Sequence, residues 1–241
     1  MYKEHAKFKA PSPAAVLWRY MDLSKLIAMI HGGCLFFARA DRLGDPWEGA
    51  TSPVNVTFRQ VLDLQTGAGY QQLGDLHKST LRHTYISCWH ESPHESAAMW
   101  KLYLSSAEGI AIQTTFERLR ESFSKTDRDI FIGKVDYYDP MLEMWPEGNI
   151  LRQYLYKRKS FEHEREVRAI FQDQPELGFE RAEPAAEYGL NITVDIDTLI
   201  ERVYLAPTSP AWIARVTQAV LDKFGLNRTT VQSSLSADPA F

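Results

Sequence analysis

One stretch constrains this chain more than any other: Lys157-Arg-Lys-Ser-Phe-Glu-His-Glu-Arg-Glu-Val-Arg-Ala-Ile-Phe171. Charged side chains crowd its first part and then run into Val167–Phe171, an apolar segment that reads as a strand. Side chains alternate between the two faces of a strand. Glu164, Glu166 and Arg168 are therefore expected on one face, and Arg165, Val167, Ala169 and Phe171 on the other. The second face reads as core. The first sets two carboxylates and a guanidinium in a row at the mouth of a sheet. Like charges about 7 Å apart on one face repel unless a cation sits between them. If Arg168 is that cation, the row is a structural ion network. If a ligand that becomes positive during reaction takes the place, the row is catalytic. Charge clusters of both kinds exist, and the sequence leaves both open.

The rest of the chain supplies the frame. Residues 1–13 read as a flexible arm ending in Pro11-Ser-Pro13. Val16–Tyr20 reads as a strand, and Asp22 or Ser24 as the N-cap of a short amphipathic helix over Leu23–Ile30. His31-Gly-Gly33 ends that helix, and Cys34–Arg39 is the second strand. Asp41–Gly49 is a loop punctuated by Gly44, Pro46 and Gly49, with acidic Asp45 and Glu48 beside Trp47. Residues 50–83 read as a helical insertion or lid, with helices over Val54–Leu64 and Tyr70–Arg82.

Tyr85–Trp89 is the third strand, followed by a His90–His94 loop. Glu95–Leu104 is a helix with Ala98, Met99, Leu102 and Tyr103 toward the core. Gly109–Thr114 is a strand, Phe116–Phe123 a helical turn or two, and Asp129–Tyr138 one long strand. The second half of Met141–Tyr156 is expected to be helical. Gln174–Glu187 reads as an exposed loop, and Leu190–Ile196 and Arg202–Ala206 as strands. Pro210–Phe224 is a helix with Ile213, Val216, Val220 and Leu221 as its apolar stripe. Thr229–Gln232 adds a last strand before a loose tail over 233–241. Short strands among uneven helices, with no Gly-rich fingerprint after the first strand, argue against a Rossmann fold or P-loop. The fold class is α+β, a mixed, mostly antiparallel sheet with packed helices, in one domain over 14–232.

Composition excludes several classes. A chain of 241 residues that is 44% hydrophobic builds a proper core. A formal charge of −4 argues against a general nucleic-acid binder, though a local basic groove stays open. Two cysteines, Cys34 and Cys88, make no disulfide framework and point to a reducing cytoplasm. The charged opening Met-Tyr-Lys-Glu-His does not read as a signal peptide. No apolar run approaches the roughly 20 residues of a membrane helix, so no membrane partner is expected.

Arg19 in the first strand, Ser87 in the third and Glu164-x-Glu166 come in a suggestive order. It resembles the motif order of the arginine–serine–glutamate class of ADP-ribosyltransferases. Those enzymes cleave the nicotinamide–ribose bond of NAD through a transition state like an oxocarbenium ion, which a nearby carboxylate stabilises. The resemblance implies that NAD is the substrate. It implies that Glu166 holds a ribose hydroxyl and faces the developing charge, while Glu164 orients or deprotonates the acceptor. Arg19 would bind the diphosphate or its ribose, Ser87 would steady the pocket strand, and Tyr85 and Trp89 would wall the nicotinamide. Here the class's Ser-Thr-Ser reads Ile86-Ser-Cys88, and the three motifs are spaced more widely.

A second set of segments also falls in order. It comprises Leu17-Trp-Arg-Tyr20, Leu35-Phe-Phe37, Arg42-Leu-Gly-Asp-Pro-Trp-Glu48 and Ser87-Cys-Trp89. Ala98-Met-Trp-Lys-Leu-Tyr103, Glu108-Gly-Ile-Ala-Ile112 and Lys159–Arg168 continue it. Together these resemble the bacterial domain-of-unknown-function family 2971. Where the family pattern is more often Asn-Asp, this chain has Gly44-Asp45; Asp45 and Glu48 match. The family implies a cytoplasmic bacterial protein, compatible with a toxin or phage-defence effector that meets a macromolecular acceptor or an antitoxin.

Other readings stay beside this one. Asp45-Pro-Trp-Glu48 either pins an Asx turn or brings Trp47 and Glu48 into the pocket of Glu166. Cys88-x-His90-x3-His94 matches no standard zinc spacing. Cys88 with His90 as nucleophile and base lacks an orienting group. A non-catalytic module would use an aromatic face of Trp89, Trp100 and Tyr103 and the basic run Arg152–Lys159 to bind protein or nucleic acid. A metal-dependent nuclease would use Asp45, Glu164 and Glu166 near Lys159.

Overall fold

The computed structural model describes residues 1–67, 72–103, 108–146, 149–173 and 186–237. Most of the expected exposed loop over Gln174–Glu187 lies outside the described residues. Among the described residues no helix is long and apolar enough to cross a membrane.

Residues 1–13 do not stand off as an arm. Strand β1 (Tyr2–Lys3) lies parallel to the strand at Ile130, and Phe8 packs with Phe131. The expected strand, helix, turn, strand unit follows: β2 (Val16–Asp22), α1 (Leu23–Gly32) and β3 (Cys34–Arg39). Asp22 caps α1 by accepting the Lys25 amide at 2.8 Å. Gly33 ends it at φ +59°, where a Cβ would be strained. Helices α2 (Pro53–Thr66) and α3 (Gln72–Leu81) occupy the expected insertion.

Strand β4 (Thr84–Glu91) runs further than expected and takes in His90. Helix α4 (Ala97–Tyr103) buries Met99 and Trp100, while Ala98, Leu102 and Tyr103 are exposed. The buried pair packs on Trp18 and Tyr20, which turns the helix from its expected face. Strand β5 (Gly109–Thr115) and helix α5 (Phe116–Ser122) come next. The long strand expected over Asp129–Tyr138 is two: β6 (Ile130–Lys134) in the main sheet and β7 (Asp136–Tyr138) outside it. Val135 breaks them, its amide bonding the Glu166 carbonyl.

The expected helix before Tyr156 is only a 3-10 turn over Arg152–Leu155. It leads into β8 (Tyr156–Arg158), which pairs with β7 in a two-stranded sheet. Strand β9 (Glu166–Gln172) carries the apolar run. Strand β10 (Gly189–Thr193) is shorter than expected because Asp195 caps a helical turn, α6 (Ile196–Leu199). Strand β11 (Arg202–Leu205), helix α7 (Ala211–Lys223) and β12 (Thr230–Gln232) close the fold. Helix α7 buries Ile213, Thr217 and Leu221, and Val216 is exposed. The tail over 233–237 is tied to Glu95, which accepts from the Ser234 amide at 2.8 Å.

The main sheet runs β1-β6-β9-β4-β2-β5-β11-β12, with β3 on β4 and β10 on β3. Only β1/β6 and β11/β12 are parallel in it, so the class is α+β with a mixed, mostly antiparallel sheet. The large core lies on one face under α1, α5 and α7, and holds Leu17, Trp89, Ile112 and Val167. Smaller clusters around Tyr154 and Trp100 cover the other face.

One break in this sheet positions the site. Along one edge β4 pairs with β9 without interruption. Along the other it pairs with β2 only at Leu17↔Glu91 and Trp18↔His90, then with β3 at Ala38↔Ile86 and Arg39↔Tyr85. Strands β2 and β3 diverge between those points, so Ser87, Cys88 and Trp89 have no strand partner on that edge.

Candidate active site

A cleft of about 520 Å³ opens at this split. Trp18, Tyr20 and Met99 give it apolar walls, and Arg19, His90, Tyr103, Glu164 and Glu166 give it polar chemistry.

Arg19 bridges the three strands of the split. Its Nη1 donates to Ser87 Oγ on β4, and its Nη2 to the Phe36 carbonyl on β3 at 3.1 Å. Its guanidinium lies 5.7 Å from the Trp89 ring centroid. Both acceptors are neutral, and no carboxylate pairs with Arg19 among the described residues. Burial pulls its pKa down. The ionisable groups that act on it, Cys88 and Tyr103, are themselves neutral, because desolvation raises both even though about half of Tyr103 is exposed.

The acidic side is built differently. Glu166 opens β9, and its register with His90 puts it on the opposite sheet face from Arg19 and Ser87. Arg168 Nε donates to Glu166 Oε2 at 2.7 Å, and its two Nη atoms grip Glu48 at 2.6 and 2.9 Å. Nη1 also reaches the Tyr154 carbonyl at 2.8 Å. Lys157 Nζ donates to Glu164 Oε2 at 2.6 Å and to Glu166 Oε1, and lies 3.5 Å from Glu48. Two cations thus face three carboxylates. Burial and the hydrogen bond with Glu166 push Glu164 up to about 7. Burial also opposes ionisation of Glu166, but Arg168, the Glu164 hydrogen bond and Lys157 outweigh it and hold Glu166 well below the usual carboxylate range. One carboxylate stays charged and its neighbour gains and loses its proton around neutrality.

Glu164 is not on the strand. It ends a 3-10 segment over Lys159–Glu164, and Arg165 follows at φ +42°. This kink, not strand alternation, turns Glu164 and Glu166 toward one lysine, and it leaves Arg165 exposed instead of in the core. A side chain in this backbone region costs roughly 1–2 kcal/mol. Arg165→Gly is therefore expected to stabilise the fold by up to about 1 kcal/mol, and Arg165→Val to destabilise it, as read by urea unfolding.

Of the other expected site residues only Trp89 lines the cleft. Ser87 is fully buried under Arg19. Tyr85 is fully buried and stacks on Phe171 in the core, so of the two aromatics only Trp89 borders the cleft. Trp47 does not line it either, since its amide closes an Asx turn on Asp45 at 3.2 Å. Glu48 sits behind Arg168, brought there by the tight turn at Gly49 (φ +67°), whose added Cβ would meet Tyr154 at 2.8 Å. Lys157 was not foreseen. Its only signal in the sequence is charge balance, because Arg168 alone cannot compensate three buried acids.

The competing readings lose their geometry. Asp45 is gripped by Arg158 at 2.9 and 3.1 Å, and Lys159 pairs outward with Glu143 at 3.4 Å, so the nuclease carboxylates do not assemble. His90 Nδ1 donates to the Glu164 carbonyl at 2.6 Å while His94 is exposed. Among the described residues no group of His, Cys, Asp or Glu is arranged to hold a metal. Burial raises the Cys88 thiol, the wrong direction for a nucleophile. Trp89 and Trp100 are buried while Tyr103 is exposed, and in the basic run Lys157 is buried while Lys159 is exposed, so neither forms one continuous face.

No family model matches the chain, so the resemblance to domain-of-unknown-function family 2971 gains no support there. No curated protein matches it. Among solved structures it is similar to Thermus sp. 2.9 DarT in complex with carba-NAD+, at 9% identity and a TM-score of 0.42, covering 92% of this chain and 96% of that one. It is likewise similar to Thermus sp. 2.9 DarT in complex with ADP-ribosylated ssDNA, at 9% identity and a TM-score of 0.40, covering 93% and 95%. A likeness this distant leaves the activity to be argued from the site itself.

Proposed function

We propose that the cleft binds NAD and that the protein releases nicotinamide and passes ADP-ribose to an acceptor. The observation that carries this reading is Arg19, a guanidinium facing the cleft with only neutral partners. A desolvated cation without an anion is costly. A diphosphate supplies the missing charge and suits the planar fork of arginine. The apolar walls suit flat rings on either side of it.

The carboxylates fit the other half of the substrate. When the ribose–nicotinamide bond breaks, its electron pair leaves with the nicotinamide nitrogen and the ribose becomes cationic in character. Glu166, ionised and fixed by two cations, stabilises that charge without having to move. The acceptor then bonds to the anomeric carbon and gives its proton to Glu164 in its ionised form, which a value near 7 makes about half of the molecules at neutral pH. Two neighbouring carboxylates with separated values are the usual division between charge stabiliser and proton carrier.

Calorimetric titration with NAD and with ADP-ribose tests the binding half. The protein is expected to bind both, and Arg19→Gln to weaken both by about 10- to 100-fold, the loss of a hydrogen bond between charged groups. Equal affinities in the two proteins would remove Arg19 from the site.

A further inference from the structure

We propose that Lys157 is the positioning residue of this transfer: its ammonium fixes Glu166 as the charged carboxylate and leaves Glu164 as the one that holds and hands on the proton. The proposal rests on the NAD-consuming reading above. Lys157 is itself held firmly. It pairs with Tyr137 across β7 and β8 and is buried, and its Nζ lies 4.8 Å from the Phe161 ring centroid. The hydroxyl of the same Tyr137 accepts the Glu166 amide at 2.8 Å, tying the lysine strand to the first residue of β9.

The contacts are unequal, and that inequality divides the roles. Glu166 is bonded by both Lys157 and Arg168. Glu48 is gripped by Arg168 and lies 3.5 Å from Lys157. Glu164 contacts Lys157 alone among the described cations. With fewer positive than negative groups, one carboxylate keeps a proton most easily, and it is the one with the fewest cations. The other groups facing Glu164 do not change this order. Glu166 on β9 is an anion, His90 on β4 is held neutral by burial and bonds only the Glu164 carbonyl, and Tyr103 on α4 is neutral. The neighbouring His163 and Arg165 are exposed.

Carbon-13 NMR of protein labelled at glutamate, assigned with Glu164→Gln, follows this proton without any substrate. In the unaltered protein the Glu164 signal is expected to titrate near 7. Lys157→Met should raise that midpoint by about one pH unit or more, since an opposite charge within bonding reach is lost. Lys157→Arg, which keeps the charge, should stay within about half a unit of the parent. The pH profile of nicotinamide release is expected to move with the midpoint in each variant. A midpoint unchanged in Lys157→Met, or a Glu164 that titrates among ordinary carboxylates, overturns the proposal. A profile that stays in place while the midpoint moves overturns the link to catalysis. Should Lys157→Met fail to fold, Lys157→Gln keeps a hydrogen-bond donor without the charge and carries the same two outcomes. Shifted midpoints in a protein that releases no nicotinamide contradict the NAD reading, not the hold of Lys157 on the pair.

Discussion

Replacing Arg168 with methionine is expected to cost about 3–5 kcal/mol of folding stability, the usual result of removing one partner from a buried ion pair. Arg168 is 1% exposed and is the only residue bonded to both oxygens of Glu48 among the described contacts. Its loss leaves Glu48 buried with Lys157 as the remaining cation at 3.5 Å. It also frees the Tyr154 carbonyl and one oxygen of Glu166. The comparison is Lys159→Met, which breaks an exposed pair with Glu143 and should change stability by less than about 1 kcal/mol. Urea unfolding of both variants gives the two numbers. A cost for Arg168→Met as small as that for Lys159→Met would mean that the carboxylates are protonated and the network is not ionic. Adding Glu48→Gln to Arg168→Met should restore part of the loss, because it removes the charge left unpaired.

Glu166→Gln is expected to slow nicotinamide release from NAD by about 10²- to 10³-fold while the fold survives. The amide keeps the size of the side chain and removes only the charge that faces the reacting ribose. The network can absorb the change. With Glu166 neutral, the repulsion that disfavours a charged Glu164 is lost, the remaining amide oxygen is a weaker acceptor, and Lys157 draws Glu164 into its charged form. Stability should fall by less than in Arg168→Met, and the binding of ADP-ribose through Arg19 should persist. A variant that folds, binds ADP-ribose and turns over as fast as the parent would place the catalytic charge elsewhere.

Elements fixed by local sequence were legible; those set by long-range packing were not. The unit from Val16 to Arg39 was readable because its signals are short-range: an alternating strand, an Asp22 cap, an apolar helical spacing and a glycine stop. The apolar strand after Glu166 was readable for the same reason. The kink at Arg165 was not, since arginine gives no sign of the left-handed backbone it adopts. Alternation was therefore carried two residues too far, onto Glu164. The long strand over Asp129–Tyr138 failed at Val135, the last residue bonded to β9, after which the chain leaves to pair with β8. In the site, the motif order singled out Arg19, Ser87, Glu164 and Glu166, and the fold places all but Ser87 on one cleft, with Ser87 bonded to Arg19. Tyr85, Trp47 and Glu48 were misplaced because a strand position or a loop position does not say what will pack in front of it. Lys157 stayed hidden because six residues, the end of β8 and a 3-10 segment, separate it from Glu164, and no periodicity spans them.

Whether the cleft cleaves NAD is decided by nicotinamide release from NAD by the unaltered protein at neutral pH. Release is expected, with one ADP-ribose, free or attached to an acceptor, for each nicotinamide formed. No release, together with no calorimetric binding of NAD, would contradict the NAD reading. The Lys157, Arg168, Glu48, Glu164 and Glu166 cluster would then be a structural ion network that borders an unused cleft.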